Sequence, residues 1–383
     1  MAVALVGGAL ANKPHNGGNA WTRLTWLLGL RRLGFDVYFA EQIAPEACID
    51  AAGNPAPFEE SANAAVFRRV LRAFGFGDRA ALVCGERTVG LSHGELRDVA
   101  AAADLLVNIS GHLTLGLLKD GLRRKVYFDD DPGFTQFWHA AGDAGSRLEG
   151  HDFYFTVGAN VGTPGCPIPT GGVHWRPTRP LVVLDEWPAC RSEPNRFTTV
   201  ASWRGAYGPV EYQGQKFGLK VHEFRKFVEL PRRAAQTFEI ALDIHPADHA
   251  DRDQLARNGW RLADPRAVVA DPDAYRQYVQ ASGAEFSAAQ GVYVQTQSGW
   301  FSDRTACYLA SGKPALVQNT GFGRTLPTGD GLVPFRTLDE AAAGAARIAA
   351  DYERHSRAAR ALAEEYFDSD KVLARLLGEV GLA

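Results

Sequence analysis

With 383 residues, 46% of them hydrophobic and 22% charged, the chain has a globular composition and is too long for one ordinary core, so two domains are expected. Its net charge of −3 argues against a nucleic acid or an anionic membrane as partner, and no run approaches the roughly 18 apolar residues of a membrane span. Five scattered cysteines without CxxC spacing argue against a disulfide framework and a zinc site, and MAVALVGGAL, lacking a basic leader, reads as the first strand of a cytoplasmic protein.

Residues 3–6 form an apolar strand, 12–19 (NKPHNGGN) a loop, and 22–33 a helix with Leu24, Leu27, Leu28 and Leu30 on its spacing. A strand at 37–40 completes a βαβ unit, which makes α/β with a parallel sheet the expected class. Helices are expected at 63–74 and 95–103, and strands at 105–109, 126–128 and 153–157. Residues 158–188, dense in Gly and Pro with a strand only at 181–184, read as a hinge or binding loop. A second α/β series follows, with strands at 197–201, 238–242 and 260–262 and helices near 221–227 and 274–281. A boundary between Pro188 and Pro194 gives domains 1–190 and 191–383, with the last helix a candidate to cross back to the first. Two doubly wound, Rossmann-like domains would face each other across a cleft.

Within the second series, residues 291–321 read as one βαβ unit: a strand at 292–294, a turn at Ser298 and Gly299, a helix from Ser302 to Gly312, and a strand at 315–318. Ser302, Asp303, Arg304 and Thr305 stand at the helix N-terminus, where unpaired backbone N–H groups and one cation suit a phosphate. The plainer alternative is an N-cap and a dipole complement with nothing bound. Further along the ridge of candidates, Gly17 and Gly18 precede the first helix, where bare backbone suits a ligand and Asn19 suits a cap. Arg204 and Lys216 flank a Gly-rich stretch and have the right sign for phosphates, or are surface charges. Neither GxGxxG after the first strand nor a Walker A pattern occurs, which demotes a dinucleotide enzyme.

For acid–base work three candidates follow first-domain strands: His112 in NISGH, Asp129, Asp130 and Asp131 in YFDDDPGF, and His15 in the first loop. Adjacent carboxylates are costly unless hydroxyls, backbone donors or a cation answer them, and a turn ahead of Pro132 is the structural alternative. Phe134, Phe137, Trp138 and Trp175 suit either an apolar acceptor wall or core packing. His245 and His249 lack a metal-binding frame and are read as part of a loop.

The stretch SGWFSDRTACYLASGKPALVQNTG resembles the nucleotide-sugar site of GT-B glycosyltransferases, and Gly17-Gly18 is similar to that family's first Gly-Gly loop. The resemblance covers essentially the full length. It implies a UDP- or TDP-sugar bound by the second domain and a small, natural-product-like acceptor bound by the first. Ser302, Asp303, Arg304 and Thr305 would then address diphosphate or ribose, with Arg204 and Lys216 neutralising the leaving group and no metal or other cofactor required. The sequence departs from the family where many retaining members carry two glutamates eight positions apart: Gly299 and Cys307 stand there. Glu285, upstream, is the candidate substitute, with an exposed carboxylate as the alternative. A donor-modifying enzyme such as a nucleotide-sugar epimerase, or a catalytically silent partner protein, are the other readings of the same scaffold. The sequence leaves the oligomeric state open.

Overall fold

The computed structural model describes residues 1–119, 122–205 and 207–382. Strands of the first half build an eight-stranded sheet in the spatial order Arg87–Gly90, Ala80–Cys84, Asp36–Gln42, Val3–Gly7, Leu105–Ile109, Lys125–Asp129, Phe153–Thr156 and Trp175–Pro177. Only the hairpin between the first two is antiparallel. Strands of the second half build a parallel six-stranded sheet in the order Arg261–Ala263, Thr237–Asp243, Arg196–Ser202, Ala284–Ser287, Ala315–Gln318 and Leu332–Phe335. In each sheet the chain begins centrally, winds outward one way, then returns and winds out the other. It therefore reverses beside Val3–Gly7 in one sheet and Arg196–Ser202 in the other, and the crevice outside the carboxyl ends at such a reversal is where α/β folds bind ligands.

The first helix, Gly17–Arg32, starts five residues before the apolar pattern because Asn16 caps it, its Oδ1 accepting from the Asn19 N–H at 2.9 Å. Asn19, expected as the cap, instead donates from Nδ2 to the carbonyls of Ala9 and Leu10. Most of this helix is buried because the second domain covers what the sheet leaves open. Trp21 donates from Nε1 to the Pro272 carbonyl at 2.8 Å, and Trp21, Leu24, Trp187, Tyr275, Phe301 and Leu309 belong to one apolar cluster spanning both halves. The last helix, Ser369–Glu379, lies on the same face: Arg32 pairs with Asp370, and Leu373, Leu376 and Leu377 join that cluster.

Several expectations are corrected. Residues 292–294 lie in a helix, Gly291–Thr296, and not a strand; a run of three apolar residues carries no period, and the Thr296 hydroxyl bonds back to the Val292 carbonyl at 2.6 Å. Residues 181–184 form no strand: Val182 makes one isolated bridge with Asp368, while the edge strand of this segment is Trp175–Pro177, where Pro is tolerated. The stretch read as a loop around His245 is a 3₁₀ turn followed by the helix His249–Arg257, with His245 Nδ1 accepting from the Ala247 N–H. The hairpin formed by Val210–Tyr212 and Gln215–Phe217 has no counterpart in the sequence reading. No helix among the described residues is long and apolar enough to cross a membrane.

Candidate active site

The second-domain wall begins where strand Arg196–Ser202 ends. Trp203 is buried and donates to Asp251 at 2.8 Å, while Arg204 turns outward and pairs with Asp248, its Nε at 2.9 Å. Lys216 is exposed on the hairpin. Beyond the hairpin the short helix Lys220–Phe224 starts, fixed because Gln290 Oε1 accepts from the Lys220 N–H at 2.6 Å. Lys220 is half-buried and makes no ion pair among the described residues. Burial, and then Arg304, bring its ammonium down to about 7 against the pull of Glu285, Asp131 and Asp303. A cation in the first turn opposes the helix dipole, so its place there is favoured only when an anion is near.

The helix Asp303–Ala310 does not present the open amide cradle expected of its N-terminus. Asp303 turns one carboxylate oxygen onto the Arg304 N–H at 2.8 Å and accepts the Thr22 hydroxyl on the other at 2.6 Å, so a carboxylate already occupies the position. Ser302 is the N-cap residue but makes no side-chain cap bond, and Thr305 is buried with its hydroxyl unpartnered. Arg304 points inward. Its guanidinium binds Glu285 at 2.6 Å, the Val200 carbonyl at 3.0 Å and Ser287 Oγ at 2.7 Å, tying the helix to two strands instead of facing a phosphate. Glu285 is therefore wholly buried, which removes the exposed alternative. Gly17 and Gly18 approach protein: a Cβ at Gly17 would overlap the Asp271 carbonyl, and the Gly17 N–H already donates to the Val269 carbonyl at 2.9 Å.

The first-domain wall borders an open cavity of 960 Å³ at the strand carboxyl ends, lined by Ser110, His112, Asp131, Trp138 and Arg147, with the exposed Tyr207 of the second domain at its rim. The three aspartates take different parts. Asp129 is buried and accepts from Thr135 at 3.1 Å, Gln136 at 2.7 Å and Thr156 at 2.7 Å; burial nevertheless lifts its carboxyl to about 6. Asp131 accepts the Tyr293 hydroxyl across the domains at 2.6 Å. Asp130 makes no side-chain hydrogen bond among the described residues and is held well above the usual carboxylate range by burial, then by Asp303 across the cleft and by Asp131 and Asp129, with Arg23 opposing. Burial, with Arg23, Arg147 and Lys13 nearby, brings His112 down to about 3, so its ring is neutral and a weak base. His15 is half-buried in the first loop and makes no side-chain hydrogen bond among the described residues. Of the aromatics, Trp138 and Tyr207 meet edge-to-face at 4.8 Å on the cavity, while Trp175 is core.

Two residues carry the site without having been legible. Lys220 is one; a lysine opening a helix straight after a Gly-rich segment was the available signal. Glu41 is the other. Its carboxylate accepts from the Ala11 and Asn12 N–H groups at 2.7 and 2.8 Å, filling the turn after the first strand that a dinucleotide pyrophosphate would need. Among the described residues no cluster of His, Cys, Asp and Glu has the makings of a metal site.

No family model and no curated protein matches the sequence. Solved structures do match the fold. An alpha-glucosyltransferase in complex with UDP-glucose and DNA containing an abasic site superposes with a TM-score of 0.62 at 10% identity, covering 100% of this chain and 99% of its own. Anabaena HepE in complex with UDP and glucose gives 0.57 at 12% identity, covering 98% and 100%. Sucrose-phosphate synthase from Thermosynechococcus elongatus gives 0.53 at 13% identity, covering 99% and 98%. With two reversed-winding sheets and these superpositions end to end, the architecture is decided. The chain has the GT-B fold. One expectation falls with that finding: a nucleic acid is not excluded as partner, because several of these similar GT-B structures hold DNA. The exclusion failed in its physics, since net charge averages over the whole surface and a nucleic acid responds to a local cationic patch. The GT-B cleft of this chain has such local charge in Lys13, Arg23, Arg147 and Lys220.

Proposed function

We propose that the chain is a glycosyltransferase of the hexosyltransferase type, moving a sugar from a nucleoside diphosphate sugar, with UDP or TDP as carrier, to an acceptor hydroxyl in the 960 Å³ cavity. The observation that carries the reading is one run of charge across the cleft: Lys220, with no ion pair among the described residues, lies in the field of Asp131 and Asp303, and Asp303 in turn faces Asp130, whose carboxyl is held above its usual range chiefly by burial. UDP and UDP-glucose in the similar structures support the donor class. As the glycosidic bond to the diphosphate breaks, negative charge grows on the departing oxygen, and Lys220 stabilises it in a site from which closure excludes water. Arg204 adds to this, because its solvent-screened pair with Asp248 is readily exchanged for a phosphate. These cations do the work of a metal, so the proposed transfer needs none.

In an inverting transfer Asp130 accepts the acceptor hydroxyl's proton as that oxygen attacks the anomeric carbon, its raised pKa matching the task better than the neutral, weakly basic His112. In a retaining transfer Asp130 positions the substrate. A cavity of this size admits a drug-sized molecule, and a small natural product is the acceptor we propose, working in the cytoplasm. The test is release of nucleoside diphosphate from a panel of donor sugars, with small hydroxyl compounds and DNA as acceptors. Asp130→Asn should lower turnover by about 100-fold or more while leaving UDP affinity within about twofold. Sugar altered without acceptor would point to an epimerase, and UDP binding without any turnover to a silent partner protein.

A further inference from the structure

The cations around the first-domain cavity are not explained by donor chemistry, which belongs to the other wall. Arg147 lines the cavity, and its side chain has neither hydrogen bond nor ion pair among the described residues. The two carboxylates on the same wall are different: Asp131 is met by the Tyr293 hydroxyl at 2.6 Å and Asp143 by the Gly145 N–H at 2.7 Å. The wall's negative charge is answered from within, and its positive charge is not. Behind it, Arg23 is only 7% exposed, bonds Asn19 from one terminal nitrogen, and leaves a buried Nε without a partner. Asp130 and Glu41 lie in its field without pairing with it, and a buried cation left short of hydrogen bonds is costly unless something else completes it.

The backbone adds an independent observation. Among the described residues four non-glycines have positive φ, and two of them, Ser110 and Arg147, each at 51°, line this cavity. Their loops touch, since a Cβ on Gly111 would stand 2.8 Å from the Arg147 Cβ. Left-handed backbone at such residues is strained and persists where the surroundings over-determine it. Between them the His112 ring faces Arg23, Arg147 and Lys13 together and stays neutral.

Resting on the transferase reading, we propose that the acceptor carries an oxyanion, a phosphate or a carboxylate, bound at this wall by Arg147 and the Ser110 hydroxyl, in the field of Arg23 and Lys13. The guanidinium supplies a forked pair of donors that fits either group. The hydroxyl to be glycosylated then points from the anchored anion toward Asp130 and the donor.

Isothermal titration of inorganic phosphate into the full chain tests the site directly. Arg147→Ala should weaken phosphate binding about tenfold or more, and Arg147→Lys should restore part of it. Because Arg147 is exposed, the variants should melt with the wild type, and the melting curve verifies that they fold. Phosphate binding that is lost in Lys220→Met but kept in Arg147→Ala would overturn the proposal and leave the transferase reading standing. Phosphate binding that depends on Arg147, in a protein that binds no nucleoside diphosphate, would do the reverse. No phosphate binding at all would overturn the anion site. Competition by glycerol 3-phosphate, lactate or a short DNA duplex then assigns the oxyanion to a phosphomonoester, a carboxylate or a phosphodiester, and displacement by none of them would overturn its assignment to an acceptor.

Discussion

If Lys220 meets the donor diphosphate, UDP binding must take up a proton. In the empty cleft its ammonium titrates at about 7, so about half the molecules carry a neutral amine at pH 7 and about nine in ten at pH 8. A diphosphate a few ångströms away favours the charged form and lifts that value. Calorimetric titration in buffers of different ionisation heat should therefore show uptake of about 0.5 proton per UDP at pH 7 and close to 0.9 at pH 8, with affinity falling as pH rises above 7. Lys220→Met keeps the stem and removes the charge. A hydrogen bond to a charged group is worth about 1.5–3 kcal/mol, so the variant should bind UDP roughly 10- to 100-fold more weakly, with that uptake gone. The nucleotide's own phosphate ionisation is common to both proteins, so their difference isolates the lysine. Equal proton uptake in the two, or affinities within about twofold, would refute the reasoning and move the diphosphate elsewhere.

Arg304→Ala should act as a folding mutation more than a binding one. It strands Glu285, which is fully buried, and breaking such a pair from one side costs about 3–5 kcal/mol; urea unfolding that shifts by less than about 1 kcal/mol would contradict the inward strut. Gly17→Ala forces a methyl group into the Asp271 carbonyl and should lower stability by about 1–3 kcal/mol while expanding the particle in small-angle scattering, and an unchanged scattering profile would deny the close domain contact. Burial lifts the Glu41 carboxyl from its ordinary 4.5 to about 7 in the folded protein, so the native state holds the extra proton between the two. The stability this gives is complete below pH 4.5 and is lost as pH rises through 7, by roughly 3 kcal/mol. Glu41→Gln should flatten that slope in unfolding measurements at pH 5 and pH 8, and an unaltered slope would show that other groups set it.

Much of the architecture was readable because parallel strands covered on both faces are written as apolar runs; Leu105–Ile109 is buried at every position. The helix Asp303–Ala310 and its Gly312 stop were equally plain. What failed was short or contextual. Val292 and Tyr293 are buried in a helix, and three apolar letters suit a strand as well as a helical turn. The site was harder still. A sequence states that Arg304 is cationic and near a helix start, but whether it faces out or in depends on Glu285 arriving from a neighbouring strand. Lys220 owes its importance to Gln290, seventy positions away, and to Arg304, Glu285 and Asp303 of its own domain and Asp131 of the other. The aspartates were legible as a group and became distinguishable only once Thr156, Tyr293 and Asp303 were in place around them.

The helix Ser369–Glu379 closes over Gly17–Arg32, and the Ser369 N–H donates to the Val182 carbonyl at 2.9 Å beside the segment that leads into the second domain. During synthesis, then, the first half leaves the ribosome with one side of its opening helix bare, and it stays so until residues 369–379 have been made. The early-made domain is in that sense completed only after the strands of the second. Chaperone contact with nascent chains should concentrate on the helix face around Gly29, which Leu373 and Ser369 cover in the folded protein, and a ribosome stalled before residue 369 should hold a first domain more open to protease than the finished one.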